Sequence, residues 1–162
     1  LNQAIEKNDK NAEYYFIRGF AFSHLGDSEN AISDLTMAIS LNYRYALAYN
    51  ERAYDYALVG ENKRAIHDYS CAIALEPDEA LFYANRGNAY EEIGEHDKAF
   101  ADYSTAIMLK PEEPEYYRFR GELYYLEEYW IDANKDFQKA LALEPEDIVS
   151  FAYSTLLEGC DK

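Results

Sequence analysis

The chain has 162 residues, 15 Lys+Arg against 31 Asp+Glu, and a formal net charge of −16 at pH 7. That balance argues against nucleic acid as the partner, because phosphate contacts need clustered Lys and Arg, and it favours a basic one. No apolar run reaches membrane-spanning length, no secretory leader is visible, and Cys71 and Cys160 stand far apart without metal-ligand spacing.

Leu1–Asn11 reads as the tail of a helix, predicted over 1–8, with Ala4 on its packed face. From there one 34-residue unit recurs four times without a gap, at 12–45, 46–79, 80–113 and 114–147. Counted from the first residue of each copy, position 4 is Tyr15, Tyr49, Tyr83 and Tyr117, and position 8 is Gly19, Ala53, Gly87 and Gly121. Position 11 is Phe22, Tyr56, Tyr90 and Tyr124; position 24 is Leu35, Tyr69, Tyr103 and Phe137. Positions 20 and 27 are always Ala. Steps of three and four put these residues on one stripe of each of two helices. Small residues let the two backbones approach, and large rings fill the space around them.

The first helices are predicted at 12–25, 46–59, 80–93 and 114–127, the second at 29–42, 63–76, 97–110 and 131–144. Gly26, Gly60 and Gly94 stop the first helix where a left-handed residue is needed. Glu128 replaces that glycine in the fourth copy, where Tyr129-Trp130 are expected to reshape the turn. Pro77, Pro111 and Pro145 stop the second helix, with Tyr43 in that place in the first copy. Acidic residues such as Glu79, Glu113 and Asp147 sit where a helix starts and complement its dipole. A last helix is predicted over 147–159, its stripe of Ile148, Val149, Phe151, Ala152, Leu156 and Leu157 packing on the fourth copy. Ser150, Ser154 and Glu158 would supply its polar outer face, and Gly159-Cys160-Asp161-Lys162 reads as a frayed end. Because the chain opens inside a repeat, we expect it to be part of a longer protein.

The pattern resembles the tetratricopeptide repeat, a helix–turn–helix of 34 residues, over residues 12–147 and parts of two further copies. The resemblance implies an all-α, right-handed α-solenoid of stacked helix–turn–helix repeats. Residues 1–162 would form one domain: 1–11 the end of a preceding repeat, four full repeats, and 148–162 a terminal capping helix. It also implies that the concave face is lined by positions 2, 5, 9, 12 and 13 of each first helix. Carried over, those positions give an apolar patch of Phe16, Phe20, Leu47 and Tyr54, rimmed by Asn50, Asn85 and Asn88, with Arg118 and Glu122 in the fourth copy. Amides there can bond a peptide backbone. The alternative is that the rings pack on one another. The Lys and Asn pattern by which some family members clamp a C-terminal carboxylate is absent, since position 5 is Phe16, Asn50, Ala84 and Arg118.

Two polar series are complete: Arg18, Arg52, Arg86, Arg120 at position 7, and Asp34, Asp68, Asp102, Asp136 at position 23. They read as structural pairs, within or between copies, with a functional anion ladder as the alternative. Nothing reads as an enzyme. His24, His67 and His96 fall at unrelated positions, no Ser or Cys has a repeat-placed base, and Glu91-Glu92 and Glu127-Glu128 point in different directions. No cofactor or metal is predicted. The expected function is a non-catalytic module that holds a protein or peptide, basic or apolar, in the concave groove. The alternatives are an assembly segment that self-associates through its ends, and an accessory region of an enzyme whose catalytic part lies elsewhere.

Overall fold

The computed structural model describes residues 2–157; the end at 159–162 read as frayed lies outside them. Among the described residues there are ten helices and no strand. They are α1 Asn2–Lys7, α2 Ala12–His24, α3 Ser28–Leu41, α4 Ala46–Leu58, α5 Asn62–Leu75, α6 Ala80–Glu91, α7 His96–Leu109, α8 Pro114–Leu126, α9 Trp130–Leu143 and α10 Ile148–Leu157. Each second helix starts and ends one residue before its predicted range. The chain forms two compact units, residues 1–78 and 79–162, divided at the seam between the second and third copies.

In the first unit α2 packs on α3, α4 on α5, and α3 on α4. In the second, α6 packs on α7, α7 on α8, α8 on α9 and α9 on α10. The repeated alanines make these contacts possible: Ala31, Ala38, Ala65, Ala72, Ala99, Ala106, Ala133 and Ala140 are all fully buried. The residue between each pair, Leu35, Tyr69, Tyr103 or Phe137, fills the space beside them and is also buried. Position 8 shows how tight the fit is. A Cβ on Gly87 would come within 2.6 Å of the Tyr103 ring, and that ring is held through hydrogen bonds of its hydroxyl with Asn88 and Glu91.

The turn inside each hairpin repeats four times. The residue after it donates its N–H to the carbonyl of position 11: Asp27 to Phe22, Glu61 to Tyr56, Glu95 to Tyr90, Tyr129 to Tyr124. This closes the first helix in a Schellman-type cap. Gly26, Gly60 and Gly94 take φ of 77°, 79° and 74°. Glu128 takes φ 63°, so the fourth turn keeps the same shape without glycine, contrary to the expectation that Tyr129-Trp130 would reshape it. Trp130 instead packs edge-on against Tyr125 at 5.0 Å.

The last helix departs from its predicted packing. Ser150, Ser154 and Leu157 are buried, and Tyr153 stacks on Phe137 at 4.7 Å. Ile148, Phe151 and Leu156 are 80%, 62% and 68% exposed. The reason is the register. Ser150 and Leu157 occupy positions 3 and 10, which are buried in α4 as Ala48 and Asp55 and in α8 as Tyr116 and Leu123, whereas Phe151 occupies position 4, where Tyr15 packs with Ala31, Leu35 and Ala38 of the second helix of its own repeat. Among the described residues α10 has no such helix. The two serines taken for outer polarity are core residues: Ser150 Oγ donates to Asp147, and Ser154 joins Asn134 and Gln138.

Candidate binding surface

The polar framework comes first, because it decides which charges remain for a ligand. Each position-7 arginine donates from Nε and Nη2 to both oxygens of the aspartate sixteen residues later, and the Nε contacts span 2.6–2.7 Å. The pairs lie within a copy: Arg18–Asp34, Arg52–Asp68, Arg86–Asp102, Arg120–Asp136. Nη1 reaches back to the preceding second helix, from Arg18 to Asn2, from Arg52 to Thr36 and from Arg120 to Ser104. One guanidinium thus ties both helices of a copy to the copy before. Planar, bidentate geometry is what suits arginine to this task. Facing carboxylates already occupy these forks, which removes the anion ladder.

The predicted groove residues divide between the two units. In the first, Phe16, Phe20 and His24 fall one turn apart on α2. Phe20 is 40% exposed and meets His24 edge-on at 4.3 Å. Phe16 is half-buried, stacked near Phe20 at 6.1 Å and against Tyr45 at 4.8 Å. On α4, Leu47, Tyr54 and Leu58 share a face and are 45%, 47% and 57% exposed. Asn50 does not join them. It is buried and donates to Glu51. Ala84, at the same register position, is also buried, so position 5 lies deeper than the family pattern implies.

Beneath this apolar face lies a feature that sequence reasoning missed. Asp55 stands at position 10, where the other copies carry Ala21, Ala89, Leu123 and Leu157. It is fully buried, and among the described residues neither carboxylate oxygen has a partner in good hydrogen-bond geometry, the Ser28 and Ser23 hydroxyls being near but not aligned. Burial raises its pKa, offset in part by the nearby hydroxyls of Ser28 and Ser23. Burial also raises the pKa of neighbouring Glu51, and the Asp55 charge adds to that rise. A lone acidic residue at an otherwise apolar register position was the only signal available in the sequence.

In the second unit the inner residues are acidic. Asn88 and Glu91 both lie within hydrogen-bond distance of the Tyr103 hydroxyl, at 2.7 and 2.8 Å. One hydroxyl proton cannot serve two acceptors; with the Asn88 amide turned over, its Nδ2 donates to Tyr103, which donates to Glu91. Burial raises the pKa of Glu122, and the charge of Glu91 raises it further. Arg118 is partly exposed and reaches Glu115 at 3.3 Å. It lines a cavity of ≈ 430 Å³ together with Glu113, Glu115, Glu144, Glu146 and Asp147. Asn85 is half-buried on α6. No group of three or more His, Cys, Asp or Glu is placed to hold a metal ion among the described residues, and no described helix is long and apolar enough to cross a membrane.

Family models of the tetratricopeptide repeat match residues 12–45 and 80–113, the first and third copies, and support that family for the chain. Among curated proteins none matches. Among solved structures, a MamA crystal structure aligns with a TM-score of 0.84 at 29% identity, over 90% of this chain and 85% of that one. The thermophilic tetratricopeptide protein TTC0263 of Thermus thermophilus aligns with a TM-score of 0.80 at 23% identity, over 97% and 87%. The first tetratricopeptide domain of Spaghetti (RPAP3), bound to the HSP90 peptide SRMEEVD, aligns with a TM-score of 0.68 at 23% identity, over 71% and 91%. These likenesses establish the all-α tetratricopeptide solenoid, and together with the family matches they support the general class, a protein–protein interaction module.

Proposed function

We propose that the inner faces of the first helices are non-catalytic binding surfaces for a peptide or partner helix, the first unit taking apolar side chains and the second, as a surface of its own, a basic residue. The observation that carries this reading is the exposed apolar set Phe20, Leu47, Tyr54 and Leu58 on α2 and α4, which the core of the first unit does not claim. A soluble surface bears single exposed apolar residues without consequence, but a set on neighbouring helices marks an interaction site. The preference for a basic residue rests on Glu91 and Glu122 in the second unit, two neighbouring carboxylates whose mutual repulsion a cation relieves. The same acids oppose an acidic tail such as the peptide held by RPAP3. Packed helix pairs present a preformed surface, so little conformational entropy is lost on binding.

Selection from a random peptide library against the intact chain tests the proposal. Enriched sequences should carry large apolar residues, or Lys and Arg. The double variant Phe20→Ala, Tyr54→Ala should lose the apolar class while its far-ultraviolet circular dichroism stays unchanged. Apolar enrichment that survives the double variant counts against the surface on α2 and α4.

A second reading, assembly through an end of the chain, is favoured by one observation: the uncovered Ile148, Phe151 and Leu156 on α10. Light scattering over a concentration series separates the two, because assembly through α10 requires a mass that rises with concentration.

A further inference from the structure

Cations are scarce in this chain, yet three of them meet in one cavity of the first unit, away from the groove residues. The cavity measures ≈ 390 Å³ and is lined by Arg52, Lys63, Arg64 and His67, with the Tyr56 ring and the Thr36 hydroxyl. Its cations all come from the second copy. Lys63, Arg64 and His67 stand at positions 18, 19 and 22, where the first copy has Glu29, Asn30 and Ser33 and the third has Asp97, Lys98 and Ala101. We propose that this cavity is a binding site for a phosphate monoester or free phosphate.

One donor is held in place before any ligand arrives, and it is not Arg52, which is matched by Asp68, also lining the cavity, and bonded to Thr36, and so bounds the site without a free charge. The Arg64 guanidinium lies over the Tyr56 ring at 3.9 Å and donates to the Tyr56 hydroxyl. Lys63 has no ion-pair partner among the described residues, and His67 meets only Cys71 Sγ, at 3.8 Å from Nε2, leaving Nδ1 unpartnered among them. Glu61 does hold Arg64, but as an exposed i,i+3 pair on the rim, and such pairs are weak because solvent screens them. This sets the ligand class. A monocarboxylate reaching Arg64 would only replace an equivalent carboxylate. A phosphate carries nearly two charges and three acceptor oxygens, so it can take Arg64, Lys63 and the His67 ring at once and displace Glu61. The negative charge of the rest of the chain does not forbid this, since salt screens charges beyond about 8 Å under physiological conditions.

The test is a titration followed by NMR at the Arg64 Nε–H and the His67 ring. The probes are inorganic phosphate, acetate, a phosphoserine peptide and its unphosphorylated counterpart. Phosphate should give a saturable response and acetate none. Arg64→Gln or Lys63→Gln should weaken binding about tenfold, the loss of one charge-assisted hydrogen bond. Glu61→Gln should tighten it by freeing Arg64, a gain that misfolding could not produce. A phosphopeptide that binds more tightly than inorganic phosphate identifies a modified protein as the source; equal binding identifies a free anion. No saturable response to either probe, equal binding of the unphosphorylated peptide, or affinities unchanged in the Gln variants would each overturn the site.

Discussion

At Glu128 an acidic side chain sits in a conformation that the other three copies give to glycine. The left-handed region costs an L-residue roughly 1–2 kcal/mol, and nothing in the fourth turn compensates, since its backbone bonding is the same as in the others. Glu128→Gly should therefore stabilise the chain by about 1 kcal/mol, raising the melting temperature by about 2–4 °C for a chain of this size. Asp55 makes the opposite case, a residue whose charge the fold opposes. Its folded pKa is raised above the ordinary 3.8, first by burial. The neutral form is thus the one favoured in the folded state. Its contribution is complete below that ordinary value and is lost as pH rises through the raised one. Glu51 and Glu122 act in the same direction, whereas Glu79 and Asp147, whose pKa values are lowered, lose their contribution as pH falls. Asp55→Asn should raise the urea midpoint at pH 7, and the gain should shrink as pH approaches the carboxylate range. A gain that is flat with pH would show that packing, not charge, is responsible.

Among the helices, the arginine forks make a testable claim about cohesion. Arg120 holds Asp136 on α9 with two bonds and Ser104 on α7 with a third. Removing the arginine alone strands a buried carboxylate, at about 3–5 kcal/mol; replacing both partners with apolar groups should cost far less. Urea unfolding of Arg120→Met, Asp136→Leu and the double variant should give a strongly non-additive cycle. Additive losses would mean that the two residues act independently. The forks also show what was legible in the sequence. Sixteen-residue spacing in four copies named both partners, and the recurring Tyr, Gly and Ala fixed which faces of α2 through α9 are buried. The face of α10 was not legible. Of its buried residues Ser150 and Ser154 are polar and Leu157 alone belongs to the expected stripe, while Ile148, Phe151 and Leu156 stay exposed, because the small residue at position 8 is packed by a second helix where a copy has one, Gly19 by α3 and Gly121 by α9. An apolar count cannot tell a face that is packed from one built to be packed. Asp55 was missed for a related reason: the Ser23 and Ser28 hydroxyls beside its carboxylate belong to the preceding copy, which the pattern within one copy does not express.

For the molecule as a whole, charge and apolar exposure predict opposite responses to salt. The net charge of −16 makes the chain repel copies of itself and attract a cationic ligand over long range. Salt shortens that reach from about 30 Å at 0.01 M to about 8 Å at physiological strength. A basic peptide held beside Glu91 and Glu122 should therefore bind more weakly as sodium chloride rises, mostly through a slower association rate. Association through Ile148, Phe151 and Leu156 should strengthen over the same range, since screening removes the repulsion and leaves apolar burial to act. One salt series can follow both, with peptide affinity by fluorescence anisotropy and mass by light scattering. Phe151→Glu should abolish any rise in mass and leave the peptide response intact. Should peptide affinity instead hold constant with salt while Phe20→Ala, Tyr54→Ala removes it, recognition rests on the apolar face of α2 and α4 alone, and the acids of the second unit take no part in it.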